Sequence, residues 1–328
     1  MAPSEKEQLS VCFIRSGEFS PGLLNSYTDA FKRAFGKAFS PDYFRHKYEA
    51  PVSGSSYHSL LTAGNNPGRI AGSCTVIPFE YHVFENTEVI GLVVDVFILP
   101  EYRYDPFSLP LMYDSLKKKV MEDGISFLLA VPNEMAFPFW KNIARFTEIT
   151  QLRYHMFPVR IGNILRKAGW LNLISRLFLQ AFIPVAGSLS GLFSPASKDL
   201  PIRLFRSEKF NAYRFHDGYT SFRNKKGCFF YKICDEDGIK TAYLVDCSPP
   251  SVSMVLSGVG HIMNHEQADA ILYIGPLKGF LFDLFRVPKR LEPKTLPFMG
   301  RFLQKSSPDP RMFDKANWDL GLINYDVR

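Results

Sequence analysis

The stretch Ile125–Val131, ISFLLAV, constrains this 328-residue chain more than any other. It is a continuous apolar run without polar alternation, the pattern of a strand covered on both faces. Leu109–Met121, just ahead of it, carries apolar residues at helical spacing. Ser56–Ala63, Arg69–Phe84 and Glu88–Leu99 are β-rich and predict an antiparallel meander. Turns at Gly64-Asn65-Asn66-Pro67-Gly68 and Glu85-Asn86-Thr87 separate them. Toward the start, Val11–Arg15 alternates like a short strand. Gly22–Phe39 places Leu23, Tyr27, Ala30, Phe31, Ala34 and Phe35 at helical spacing, and Pro41–Tyr48 comes next as a second helix capped by Ser40. With a short helix over Glu134–Ile143 and a strand over Glu148–Val159, the element order is βααβββαβαβ.

From Arg160 to Lys198 the pattern changes. Ile161, Leu165, Leu171, Ile174, Leu177 and Phe178 alternate with Arg160, Arg166, Lys167 and Arg176, which predicts a basic amphipathic helical connector. Pro184, Gly187, Gly191 and Pro195 are expected to break its second half. A helix packed between two domains needs the same pattern and is the commoner case, and a peripheral membrane contact through the connector stays open beside it. After Pro201, strands are expected over Ala212–Phe215, Gly227–Cys234 and Thr241–Val245, with a hairpin turn at Asp235-Glu236-Asp237-Gly238. A helix over Ser251–His265, a buried strand over Ala270–Ile274 and a last strand over Asn317–Asp326 complete the reading. Strand, strand, helix, strand repeats the order of Arg69–Val131 and points to a degenerate internal duplication.

Hydrophobic residues make up 46% of the chain, enough for two ordinary cores. The net charge of +7 suits a polyanionic partner such as a nucleotide, a tRNA or an acidic membrane face. Five cysteines without CxxC spacing argue against a disulfide framework and a zinc ribbon, and favour a reducing cytoplasm. The polar start MAPSEKEQLS lacks a signal-peptide core, and no run of about 18 uninterrupted apolar residues predicts a spanning helix. His261 and His265 have the i, i+4 spacing of a metal clip without a matching third ligand, so no metal is expected. GxGxxG, GxxxxGK[ST] and GxSxG are absent, which removes support for Rossmann, P-loop and serine-hydrolase chemistry.

The segment Val94–Phe146 resembles the core of the GNAT acyl-CoA N-acyltransferase superfamily. Asp95-Val96-Phe97-Ile98-Leu99-Pro100-Glu101-Tyr102-Arg103 matches the family's strand and its exit. Asn133, Ala136 and Trp140 fall at the later motif positions. The resemblance covers 10–160 in element order, with 201–328 as a weaker copy. It implies an α/β mixed-sheet fold with two parallel strands that splay at a bulge, in two tandem copies of which the second is degenerate. It further implies that backbone groups of Phe97, Ile98 and Leu99 hold a pantetheine arm, that Arg103, Tyr104, Phe107 and Ser108 face the pyrophosphate, and that Asn133 lies beside the arm. Asp95 is the carboxylate placed to bind or deprotonate an amine, against a sheet-edge or capping role. Trp140, Tyr325 and Asp326 are candidate substrate contacts.

Two departures from the family pattern matter. Pro106 stands where the family has Gly and contributes no N–H, while Asp105 before it reads as a helix cap that competes with a phosphate. Trp140 stands where the family places a Tyr acid, and indole does not release a proton near neutral pH. The resemblance therefore implies direct acyl transfer from acetyl-CoA or another acyl-CoA to a small-molecule amine or amino-sugar acceptor, without sequence-specific nucleic acid. A FemABX-like transferase using aminoacyl-tRNA and a non-catalytic GNAT-like binding protein are the alternatives. The expected division is 1–159, connector 160–200, and 201–328.

Overall fold

The computed structural model describes residues 7–64, 66, 68–166, 168–193, 200–216, 218–225, 227–279, 281–304 and 309–325. Asn65, Pro67, Lys167, Pro195 and Asp326 lie outside these. In chain order the elements are β1 (Leu9–Arg15), α1 (Pro21–Phe35), α2 (Pro41–Phe44), β2 (Tyr57–Ala63), β3 (Ile70–Val83), β4 (Asn86–Ile98), α3 (Ser108–Glu122), β5 (Phe127–Ala130) and β6 (Thr147–Pro158). They continue with α4 (Ile161–Ile164), α5 (Trp170–Phe193), β7 (Ile202–Leu204), α6 (Glu208–Arg214), β8 (Tyr219–Asn224), β9 (Gly227–Glu236), β10 (Ile239–Ser248), α7 (Val252–His265), β11 (Ala270–Gly275) and β12 (Leu296–Phe302).

Two compact units share these elements. The first holds Met1–Ile149, Leu204–Tyr213 and Phe298–Phe313; the second holds Thr150–Arg203, Arg214–Pro297 and Asp314–Arg328. In the first, β1 to β4 pair antiparallel in sequence order, β5 joins β4 in parallel, and β12 closes antiparallel on β5. The parallel step results from α3, which crosses over one face and buries Met112, Leu116 and Val120 against Val76, Val93 and Leu128. Each of those helix side chains contributes roughly 1.5–3 kcal/mol by leaving water. The N-terminal helix α1 starts at the Ser20 cap, where the hydroxyl accepts from Leu23 N, and stops at Gly36 with φ +68°. That left-handed residue ends the helix before the apolar periodicity runs out at Phe39.

In the second unit, β8, β9 and β10 form an antiparallel meander, β11 lies parallel to β10, and β6 pairs antiparallel with β11. The crossover helix α7, capped by Ser251 on Met254 N, buries Val255, Val259 and Ile262 against Phe229, Leu244 and Ile271. Meander, helix and parallel strand thus occur once in each unit.

Several expectations are corrected. Ala212–Phe215 is no strand: Ser207 caps α6 through Phe210 N at 3.1 Å, and the segment winds on to Arg214. Pro184 and Gly187 do not break the connector, because α5 runs through both while Leu179, Ile183 and Ala186 pack on the α7 core. Within it Trp170–Ser190 is long and apolar enough to cross a membrane, although polar residues interrupt the run. The expected last strand is instead two 3-10 turns, Lys315–Asn317 and Leu322–Asn324, with Asp314 capping Ala316 N and Asn324 Oδ1 accepting from Gly321 N at 2.9 Å. Pro41–Tyr48 is one α-turn continued by a π-turn, Arg45–Glu49. Strands β7, β8 and β12 go beyond the sequence expectation. Gly300 lies against the Phe127 ring, where a Cβ would approach the aromatic carbons to under 3 Å.

Candidate active site

The β4–β5 register runs from Ile90↔Phe127 to Val93↔Ala130 and ends there, while β4 continues to Ile98. Just beyond this point β4 carries a bulge. Thr75 and Ser73 of β3 face Val94 and Phe97, so β4 spends one extra residue. Asp95 absorbs it with φ +49°, a left-handed conformation that Asp tolerates better than β-branched residues. The pairing of the two parallel strands therefore stops just before the bulge, in the region the resemblance implied.

The bulge rests on a buried polar network. Asp95 Oδ2 lies 2.7 Å from Lys47 Nζ, and the two side chains are only 10% and 9% exposed. The Tyr48 hydroxyl donates to the same oxygen, and Tyr27 OH lies 3.3 Å from Tyr48 OH. Lys47 reaches inward because the π-turn Arg45–Glu49 rotates it toward β4. The Tyr213 hydroxyl of α6 donates to the Lys47 carbonyl at 2.9 Å and steadies that turn. His58 completes the network through Ser56 Oγ at 2.9 Å and Thr75 Oγ1 at 3.1 Å. Burial drives its imidazole down to about 3, aided by the Lys47 charge, so it is neutral. Burial also raises Tyr27 to about 12 and Tyr48 well above its ordinary value, with the Asp95 charge adding to both. Both phenols stay protonated donors.

Past the bulge, Phe97 turns its ring into the cluster of Tyr27, Phe31 and Phe35, and Leu99 N donates to Ala71 O at 2.8 Å. Arg103 Nε donates to Ile98 O at 2.8 Å, so the guanidinium covers a carbonyl of the strand end. The Asp105 carboxylate accepts from Phe107 N at 3.0 Å and from Ser108 Oγ at 2.9 Å, which places a negative charge at the start of α3. Tyr104 is tied by its hydroxyl to Glu7 O, and Phe107 is exposed. Asn133 caps the next turn through Ala136 N at 2.9 Å. The structure thus gathers Asp95, Phe97, Ile98, Leu99 and Arg103 along one strand end, with Asp105 in the loop that leads into α3 and Ser108 as its first residue.

Other candidates stand elsewhere. Trp140 is 2% exposed and packs edge-on against Tyr113, Phe139 and Phe146, a core residue rather than a surface for substrate. Tyr325 belongs to the second unit, where Lys294 Nζ donates to its hydroxyl and Arg214 to its carbonyl. Sequence reasoning missed Lys47, Tyr48 and His58. Of these only His58 left a trace in the sequence, as a polar residue with Ser59 inside the β-rich stretch Ser56–Ala63.

The second unit repeats the geometry. Its parallel register ends at Leu244↔Tyr273, and β10 bulges between Leu244 and Asp246 opposite Tyr231 and Phe230. Here the space beyond the bulge is taken by the chain itself. Asp319, Leu320 and Gly321 close on Val245–Cys247, Tyr273 and Leu277, and a cavity of about 10 Å³ remains, room for one water at most.

No protein-family model and no curated protein sequence matches the chain. Solved structures do. A GCN5-related N-acetyltransferase from Kribbella flavida aligns over 92% of this chain and 72% of its own, at 11% identity and TM-score 0.56. One from Anabaena variabilis aligns over 90% and 73%, at 13% identity and TM-score 0.55. The N-myristoyltransferase of Saccharomyces cerevisiae with bound myristoyl-CoA aligns over 93% and 86%, at 9% identity and TM-score 0.57. The chain therefore has the GNAT fold.

Proposed function

We propose that the first unit transfers an acyl group from an acyl-CoA to an amine of a small-molecule or sugar acceptor. The observation that carries this reading is the β4 end, freed of β5 after Val93 and turned by the Asp95 bulge. An extended pantetheine arm fits such an edge as an added strand. The fold neighbours support the donor class, since one of them holds myristoyl-CoA. Acetyl is the acyl group we favour for this chain. A bound acyl-CoA supplies an activated thioester. The backbone at Phe97–Leu99 aligns that thioester, and Arg103 can leave Ile98 O to form paired bonds with phosphate oxygens. Attack by the amine nitrogen forms the amide, breaks the C–S bond and moves one proton from nitrogen to sulfur. Asp95 acts here as a positioning residue, because Lys47 and Tyr48 already meet its charge.

Release of free CoA thiol tests this reading. Acetyl- to myristoyl-CoA would be mixed with simple amines and amino sugars, and thiol release that depends on both partners is expected. Hydrolysis alone, or none, contradicts it.

One observation favours a second reading. The Asp105 carboxylate sits where α3 would receive a pyrophosphate. In that reading the fold is kept as a ligand-binding scaffold, and no CoA is turned over.

A further inference from the structure

We propose that the outward face of α5 docks on the surface of an anionic lipid bilayer. The helix is apolar on two opposite sides. Leu179, Ile183 and Ala186 join the core under α7, and the other side carries Trp170, Leu173, Ile174, Leu177, Phe178 and Val185, each 53–64% exposed. These six recur at helical spacing and form one continuous stripe, larger than isolated surface hydrophobes produce. The stripe extends beyond the helix. Phe182 meets Phe285 edge-on at 5.0 Å, which brings the turn Phe282–Phe285 alongside with its exposed Leu284.

Charge names the occupant. No Asp or Glu occurs from Ile149 to Lys198, whereas Arg166 and Arg176 stand exposed along this stretch. Arg286, Lys289 and Arg290, all exposed, come directly after the turn that carries Leu284 and outnumber the exposed acid of that turn, Asp283. A basic rim around an apolar stripe matches the two layers of a membrane interface, anionic headgroups outside and acyl chains within. A second copy fits poorly, because a two-fold interface would set these cations against one another. Crossing the bilayer would strip Leu179, Ile183 and Ala186 from the α7 core, so the helix lies on the surface instead of spanning it. Trp170 at the start of the helix suits the headgroup level, where indole is favoured.

The test uses the whole chain with vesicles of phosphatidylcholine alone or mixed with phosphatidylglycerol. Trp140 and Trp318 are buried, so of the three tryptophans Trp170 alone is placed to report the contact. Sedimentation with the anionic vesicles and a blue shift of tryptophan emission are expected, both weakened by salt. Leu173→Glu with Leu177→Glu should reduce partitioning more than about tenfold. Far-ultraviolet circular dichroism should be unchanged, since both side chains face solvent. Arg290→Gln should reduce partitioning roughly fivefold. Failure to sediment, equal partitioning to neutral vesicles, or full binding by the double glutamate variant would each overturn the proposal. So would a dimer that the same two substitutions dissociate in the absence of vesicle binding, which would assign the face to a second copy.

Discussion

Lys47 Nζ stands 2.7 Å from Asp95 Oδ2, and this buried pair joins the π-turn after α2 to the bulge in β4. Removing one partner strands the other charge away from water. Lys47→Met should therefore lower the unfolding free energy by about 3–5 kcal/mol, measured by urea denaturation. Adding Asp95→Asn, which removes the stranded charge and still tolerates a positive φ, should recover part of the loss. If the single variant is as stable as the parent, the pair does not hold the bulge.

His58 makes stability fall with acid. Its folded value is depressed to about 3, whereas the unfolded imidazole titrates near 6.5. Below about pH 6.5 the unfolded chain therefore binds a proton that the native state refuses. The native state loses up to about 1.4 kcal/mol per pH unit from this group until pH nears 3. Urea midpoints at pH 7 and pH 4.5 should separate more in the parent than in His58→Gln. Equal separations would mean that the imidazole is protonated in the fold.

Gly300 is required by the Phe127 ring beside it. Gly300→Val would push the side chain into that ring and into Ile149 Cδ1. A loss of about 1–3 kcal/mol in thermal or urea unfolding is expected. No loss would mean that β12 moves away from β5 freely.

Asp105 and Arg103 should act on CoA in opposite directions. Asp105→Asn keeps an oxygen for Phe107 N and removes the charge at the α3 start, so it should leave affinity equal or higher. Arg103→Ala removes the guanidinium at the strand end and should weaken binding about tenfold or more. Calorimetric titration with acetyl-CoA reads both. Unchanged affinity in Arg103→Ala would place the phosphates elsewhere.

Much of the sheet was legible in the sequence because its signals are local. The apolar run at Ile125–Val131 marked β5, and the turns beside Phe84 and at Asp237-Gly238, with φ values of +56°, +54° and +81°, marked two hairpins. Asp95 was also visible, since the motif around it survives. Its partners were not. Lys47 and His58 are brought to it by a π-turn and by cross-strand pairing, contacts that no spacing rule encodes. Pro184 misled for a related reason: tertiary packing of Ile183 and Ala186 outweighs one lost backbone bond. The C-terminal turns look like a strand in composition, yet Asn324 folds back on Gly321 N and ends the extension.

Hydrogen exchange with and without CoA tests the central claim most directly, that the β4 end of the first unit holds the donor. An arm added as a strand would shield backbone amides beyond the bulge. Protection should rise in peptides covering Val94–Ser108 and stay unchanged over Val245–Ser248, where the chain's own Asp319–Gly321 already fills the corresponding space. Protection confined to Val245–Ser248, or none over Val94–Ser108 at saturating CoA, would contradict the account.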